Sequence, residues 1–171
     1  MALSNLVTYS NFVGELAIDL TKDDNQTHLD YTITQWQREI LIRLLGVGLY
    51  KDFYDNDAAT KYATLKNGET NGIYLNGEDY YEFRGVTEML KYFIYFYYNR
   101  YNQSSNTELG ERKTVGGNLQ AGDSLRLKMV RAWNKGIDMY NQTIVYIYFK
   151  NESEETYPDF LPKKLDKLTV L

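Results

Sequence analysis

The chain has 171 residues, enough for one domain that buries about two-thirds of the surface its unfolded form exposes. Its 23 acidic against 19 basic residues leave it mildly acidic, without the electrostatic footprint of a nucleic-acid binder. The absence of cysteine excludes disulfides, thiolate metal sites and cysteine nucleophiles, and the single histidine, His28, excludes a two-histidine zinc site.

The N-terminal stretch MALSNLVTYSNF lacks the basic start and apolar run of a signal peptide, so the expectation is a protein that stays where it is made. Thr8 or Ser10 is placed to cap a short helix through Phe12, Val13, Leu16 and Ala17, and residues 21–26 (TKDDNQ) read as a polar loop. Thr27 with Asp30 three residues on resembles a capping box opening the next helix. There Leu29, Ile33, Trp36, Ile40 and Leu44 recur at spacings of three and four, and Leu41 and Leu45 widen the stripe. Gly46 stands where a helix stop is expected, and beyond Gly48 a short segment pairs Leu49 with Phe53. Asp57 is read as the cap of another short helix, AATKYATLK, ended by Asn67-Gly68.

Between Gly72 and Gly85 the period changes. Ile73-Tyr74-Leu75, then Asn76-Gly77, then a run to Phe83 is a hairpin signal, because both central residues of a type I′ turn need positive φ. A lone hairpin is marginal in water, so it is expected to lie against the helices or a partner.

The helix after Gly85 is the element that organises the rest. Residues 87–102 (TEMLKYFIYFYYNRYN) leave no water-facing stripe between Met89 and Tyr98, so this helix has to be covered on most sides. Its apolar run is too short, and too rich in phenols, to cross a membrane. Residues 103–121 carry Gly110, Gly116 and Gly117 and no period, which predicts a long loop used for contact. Asp123 or Ser124 then opens the last long helix, with Leu125, Met129, Trp133, Ile137, Tyr140, Ile144 and Tyr148 in phase. Its β-branched end, TIVYIYFK, is read as helix because the stripe continues. After residues 152–155 come Tyr157-Pro158, Phe160 and an amphiphilic tail with no cap or turn.

No motif for catalysis emerges. Gly46-Val47-Gly48 follows a helix and lacks a third glycine, so it is not a dinucleotide fingerprint, and Gly116-Gly117 lacks the Lys-Ser/Thr of a phosphate loop. Asp23-Asp24-Asn25 has no glycine and distal glutamate at calcium-loop spacing, and the acidic groups at 52–57 and 152–155 read as solvated faces. His28 reads as a surface residue in the first turn of its helix. The chain is therefore read as a non-enzyme that needs no cofactor or metal. A basic cluster is the stronger thread. Arg112 and Lys113 stand in the loop, and Arg126, Lys128, Arg131 and Lys135 on the last helix; Lys128, Arg131 and Lys135 share one face. That face suits a seam with acidic residues of another copy.

The order of parts resembles a known family. A helix ending Leu44-Leu45-Gly46-Val47-Gly48-Leu49-Tyr50 is followed by a hairpin, a glycine-led aromatic helix (85–101), a glycine-bearing loop, Trp133-Asn134 and Tyr157-Pro158. Together these resemble the head–tail connector (adaptor) proteins of tailed bacteriophages, particularly those of Bacteroidetes-infecting and crAss-like phages. The resemblance implies a structural virion protein without catalytic residues, made in the host bacterial cytoplasm and placed at the capsid–tail junction. It implies a homo-oligomeric, usually dodecameric, ring beneath the portal protein, next to a tail or second ring protein. Genomic DNA passes through its axial channel without sequence-specific binding, and no membrane is involved. The other readings kept open are a tail-side adaptor or tail-completion protein, a non-viral protein-interaction module, and an enzyme of unrecognised type, which would need a pocket holding two or more carboxylates near His28.

The expected fold is all-α: a bundle of four to five helices with one small β-hairpin insertion (72–84), a long loop and an extended C-terminal arm. Residues 1–151 form the helical connector domain with its assembly loop (103–121), and 152–171 form a docking arm. Candidate inter-subunit or portal contacts are Tyr101, Arg112, Lys113, Val115, Arg126 and Arg131. Candidate docking residues are Tyr157, Phe160, Leu161 and Leu165.

Overall fold

Apolar residues near the N-terminus act as pegs rather than as a helix. Val7, Phe12 and Leu16 are buried, and in place of one short helix the chain makes two 3₁₀ turns, Tyr9–Asn11, with Thr8 as its N-cap, and Gly14–Leu16. The Thr8 N–H donates to Asn11 Oδ1 at 2.7 Å, a side-chain closure that fits a turn of three residues. The computed structural model describes residues 5–18, 23–69, 73–75, 79–103, 106–107, 110–111, 119–154 and 156–169.

Helix α1 (Asp23–Asp55) begins before Thr27, so the loop predicted for 21–26 is helical from Asp23. Residues 23–26 carry no apolar side chain, which is why the stripe gave its start too late. The stripe itself is the buried face: Leu29, Ile33, Ile40, Leu41, Leu44 and Leu45 are all buried. At Gly46 the backbone leaves the helical region (φ 77, ψ 165), and the helix resumes in a new direction with Leu49 and Phe53 buried. Helix α2 (Thr60–Asn67) starts after Ala59 rather than after an Asp57 cap. Asp57 instead accepts at its main-chain oxygen from Lys66 Nζ, 2.7 Å away.

Gly68 ends α2 at φ 89, and Gly85 opens α3 (Gly85–Gln103) at φ 81. A Cβ on Gly85 would lie 2.4 Å from the Lys66 oxygen and the Gly68 nitrogen, so two backbones touch where no side chain fits. Of the predicted hairpin, the structure describes β1 (Ile73–Leu75) and β2 (Asp79–Tyr81), paired antiparallel with Ile73 opposite Tyr81. The Asn76-Gly77 turn lies outside the described residues. A ladder this short does not set the class of the fold, which is all-α.

Helix α3 touches each of the other three helices. Val86, Met89, Leu90, Phe93, Ile94 and Phe96 are buried with Tyr92, Tyr95 and Tyr98, leaving no wet stripe. Each such apolar side chain taken fully from water stabilises the fold by ~1.5–3 kcal/mol. Beyond it, β3 (Asn106–Thr107) and β4 (Gly110–Glu111) pair antiparallel within the segment predicted as loop, and 112–118 lie outside the described residues. Helix α4 (Leu119–Glu154) begins ahead of Asp123 and stays helical through TIVYIYFK. Gly136 brings it onto the Phe93 ring, which lies 3.2 Å from where a Cβ would stand. Phe83 and Tyr146 stack with centroids 4.1 Å apart. Among the described residues, no helix is long and apolar enough to cross a membrane.

The C-terminal segment 156–169 is neither helix nor strand and folds back along α1 and α4 of its own chain. Tyr157, predicted to dock outward, is buried. Its hydroxyl donates to the Lys61 oxygen at 2.6 Å, and Asn151 holds both its N–H and its carbonyl.

Candidate interaction surface

On α1, residues His28, Tyr31, Thr32, Gln35 and Trp36 follow a spacing of three and four and so share one face. Tyr97, Arg100 and Tyr101 of α3 stand opposite, and together they line an open groove of about 470 Å³. Trp36 and Tyr97 stack face to face, centroids 3.3 Å apart and planes 5° from parallel. The His28 ring sits 4.3 Å from Tyr101 and 5.3 Å from Tyr98. Tyr31 and Tyr101 remain 65% and 63% exposed, which leaves broad aromatic faces at the groove mouth. Burial raises the Tyr97 phenol above its ordinary pKa, and the guanidinium groups of Arg43 and Arg100 pull the other way. The groove is thus aromatic on its floor and cationic at its edge. Aromatic rings and arginine are the side chains enriched at the core of protein interfaces.

A second, more polar cleft of about 350 Å³ lies between the N-terminal region, α1, α3 and α4. Asn25, Tyr95, Asn99, Asn102 and Lys128 line it. The predicted basic face lies beside it. Arg126, Lys128 and Arg131 are exposed and make no ion pair among the described residues. Lys135 is spent within the chain: its Nζ donates to Glu15 Oε1 at 2.9 Å and sits 4.8 Å above the Tyr92 ring. Tyr92 donates to the same oxygen at 2.6 Å. These two donors, the phenol first, hold the Glu15 carboxyl below its ordinary pKa.

One further polar knot joins the end of α1 to α2. Asp52 accepts from Lys61 Nζ and Asn56 Nδ2, each at 2.7 Å, and from the Tyr62 hydroxyl. The Lys61 bond, then that of Tyr62, holds the Asp52 carboxyl down at about 2, while burial and the adjacent carboxylate push the Tyr62 phenol up. Every ligand here is a neighbour in the fold, so the knot is a fastener for α2. No cluster of three or more metal-ligating residues occurs among the described side chains.

Of the sequence-predicted contacts, Tyr101, Arg126 and Arg131 reach the surface, Tyr101 in the aromatic groove and the arginines on α4. Arg112, Lys113 and Val115 lie outside the described residues. In the tail, Tyr157 is buried, Phe160 and Leu165 are half-buried against the core, and Leu161 is 76% exposed. The groove residues His28, Tyr31 and Trp36 were missed. Their signal was present as a polar and aromatic edge running beside the Leu29–Ile33 stripe. Comparison of the chain with protein-family models, with curated proteins and with solved structures finds no match.

Proposed function

We propose that the chain is a structural virion subunit, a head–tail connector that assembles into a ring beneath the portal with an axial channel for DNA. The observation that carries this reading is the open aromatic groove between α1 and α3. Large exposed aromatic surface rimmed by polar groups marks interaction sites on proteins that are otherwise well covered. A ring needs one face of each subunit to match a different face of the next. The groove and the exposed Arg126, Lys128 and Arg131 of α4, which make no ion pair among the described residues, offer two unlike surfaces of this kind. The order of sequence elements that resembles the connector family adds the setting, and with it a portal neighbour and a tail or second ring neighbour. The hairpin at 72–84 and the loop at 103–121 belong to this proposal as contact elements, as does the location at the capsid–tail junction.

A second reading has one observation in its favour. The tail is seated on its own bundle, which suits a self-contained interaction module. Deletion of residues 105–119 separates the two. A connector subunit keeps its helical circular dichroism and loses the rotationally symmetric particles seen by negative-stain microscopy. Particles that are absent from the intact chain, on the portal and off it, contradict the connector reading.

A further inference from the structure

The C-terminal strap lies in a seat shaped for a peptide backbone. The kink of α1 at Gly46 leaves the carbonyls of Arg43 and Leu45 within reach of the strap. Both accept from it: Lys163 N–H donates to Arg43 O at 2.8 Å and Leu161 N–H to Leu45 O at 3.3 Å. Two glycines clear its path. A Cβ on Gly46 would meet Leu161 backbone atoms at 3.1 Å, and one on Gly48 would meet Asp159 Cβ at 3.0 Å. Helix α4 provides the other wall. Tyr140 donates its hydroxyl to Lys163 O at 2.6 Å, and Trp133 donates Nε1–H to Asp166 O at 2.9 Å. Asn134 pairs with Leu168 in both directions, accepting its N–H at 2.8 Å and donating to its oxygen at 2.9 Å.

All of these bonds end on the main chain of the strap, so the seat reads an extended backbone, as a peptide-capturing edge does. The side chains commit little, since no residue from 160 to 169 is fully buried. The chain is pinned just before, at buried Tyr157, and between pin and strap Asp159 holds a φ of 62, a left-handed conformation costly for a side-chain-bearing residue. A firm anchor, a strained joint and a segment held chiefly through its main chain form a hinge.

We propose that this seat is an extended-peptide site and that its second occupant is the strap of another copy of the chain, exchanged about residues 158–159. An exchanged strap recovers every backbone bond it gives up, the condition under which swapping is cheap. A foreign peptide, by contrast, must displace a tethered competitor at high effective concentration. Copies held side by side, as in the proposed ring, supply that concentration; exchange deepens that reading without requiring it.

The chain has no cysteine, which makes a cross-linking test clean. Lys167 Nζ stands 2.6 Å from Asp138 Oδ1 and marks the strap against α4. With a short bis-maleimide reagent, the double variant Asp138→Cys/Lys167→Cys cross-links within one chain. A mixture of the two single variants yields a covalent heterodimer, above the level of a control pairing Lys167→Cys with Lys51→Cys. Adding Asn134→Ala to the Asp138→Cys chain removes two bonds of the seat and lowers the heterodimer by about tenfold. Gly48→Ala, which crowds Asp159, lowers it too while circular dichroism stays unchanged. Heterodimer no greater than the control, at concentrations where the double variant links internally, overturns the exchange. Oligomers without heterodimer sink exchange alone, whereas heterodimer from an otherwise monomeric protein sinks the ring alone.

Discussion

Replacing Gly85 with alanine tests the claim that a side-chain-free contact sets the start of the central helix. Gly14 serves as its control, because both residues hold positive φ, 81 at Gly85 and 63 at Gly14, while a Cβ on Gly14 meets nothing within 4 Å. At Gly14 the cost is conformational alone. The left-handed region costs an L-residue roughly 1–2 kcal/mol, and the stiffer unfolded chain returns about 0.4–1, leaving about 1 kcal/mol. At Gly85 the methyl would also stand 2.4 Å from Lys66 O and Gly68 N and 2.6 Å from Asn67 C, all backbone atoms. Moving that turn adds an overpacking cost of roughly 1–3 kcal/mol, for a total near 2–4 kcal/mol. Domain stabilities are about 5–15 kcal/mol, so the loss is a large share of the whole. In urea, with a slope of about 2 kcal/mol/M, the Gly85→Ala midpoint falls by about 1–2 M and the Gly14→Ala midpoint by about half a molar. Equal shifts for the two variants refute the steric argument.

Other consequences can be read in standard assays. The Asp52 pKa is lowered from 3.8 to about 2 in the fold, so its stabilisation is present above pH ~4 and is lost as pH falls toward 2. Asp52→Asn therefore flattens the acid limb of a stability–pH profile; with the side chain 38% exposed, solvent screening keeps the effect small. Tyr62, Tyr92, Tyr95, Tyr97 and Tyr140 are all shifted upward, chiefly by burial. Their contribution holds below pH ~10 and is lost as pH rises beyond it, so ultraviolet titration shows these phenols ionising together with unfolding rather than one by one. Tyr31→Ala with Tyr101→Ala, both at the groove mouth, leaves the thermal midpoint within about 3 °C and weakens self-association by tenfold or more. An unchanged association constant removes the groove from the interface.

Sequence periodicity revealed the elements whose partners are other apolar side chains. Leu29, Ile33, Ile40 and Leu44 announced the buried face of α1, and the glycine at 46 announced its break. The crowded aromatic run announced that α3 is enclosed. Helix starts at Asp23 and Leu119 were missed, because neither opening turn, Asp23-Asp24-Asn25-Gln26 or Leu119-Gln120-Ala121-Gly122, carries an apolar stripe. The tail was illegible for a different reason. It is held by its own main chain, against two α1 carbonyls and the side chains of Trp133, Asn134 and Tyr140, and such bonds leave no pattern in the strap itself. Likewise, nothing in either local sequence could pair Glu15 with Lys135, or set His28 between Tyr98 and Tyr101. Such contacts exist only once distant segments have folded together.

The most direct test of the whole account is the native mass of the purified chain across a concentration series. One subunit weighs 20.0 kDa, and the account requires a closed species at a fixed large multiple of that mass, reduced when Tyr31 and Tyr101 are replaced by alanine. A single 20.0 kDa species at every concentration, alone and with the portal, contradicts it.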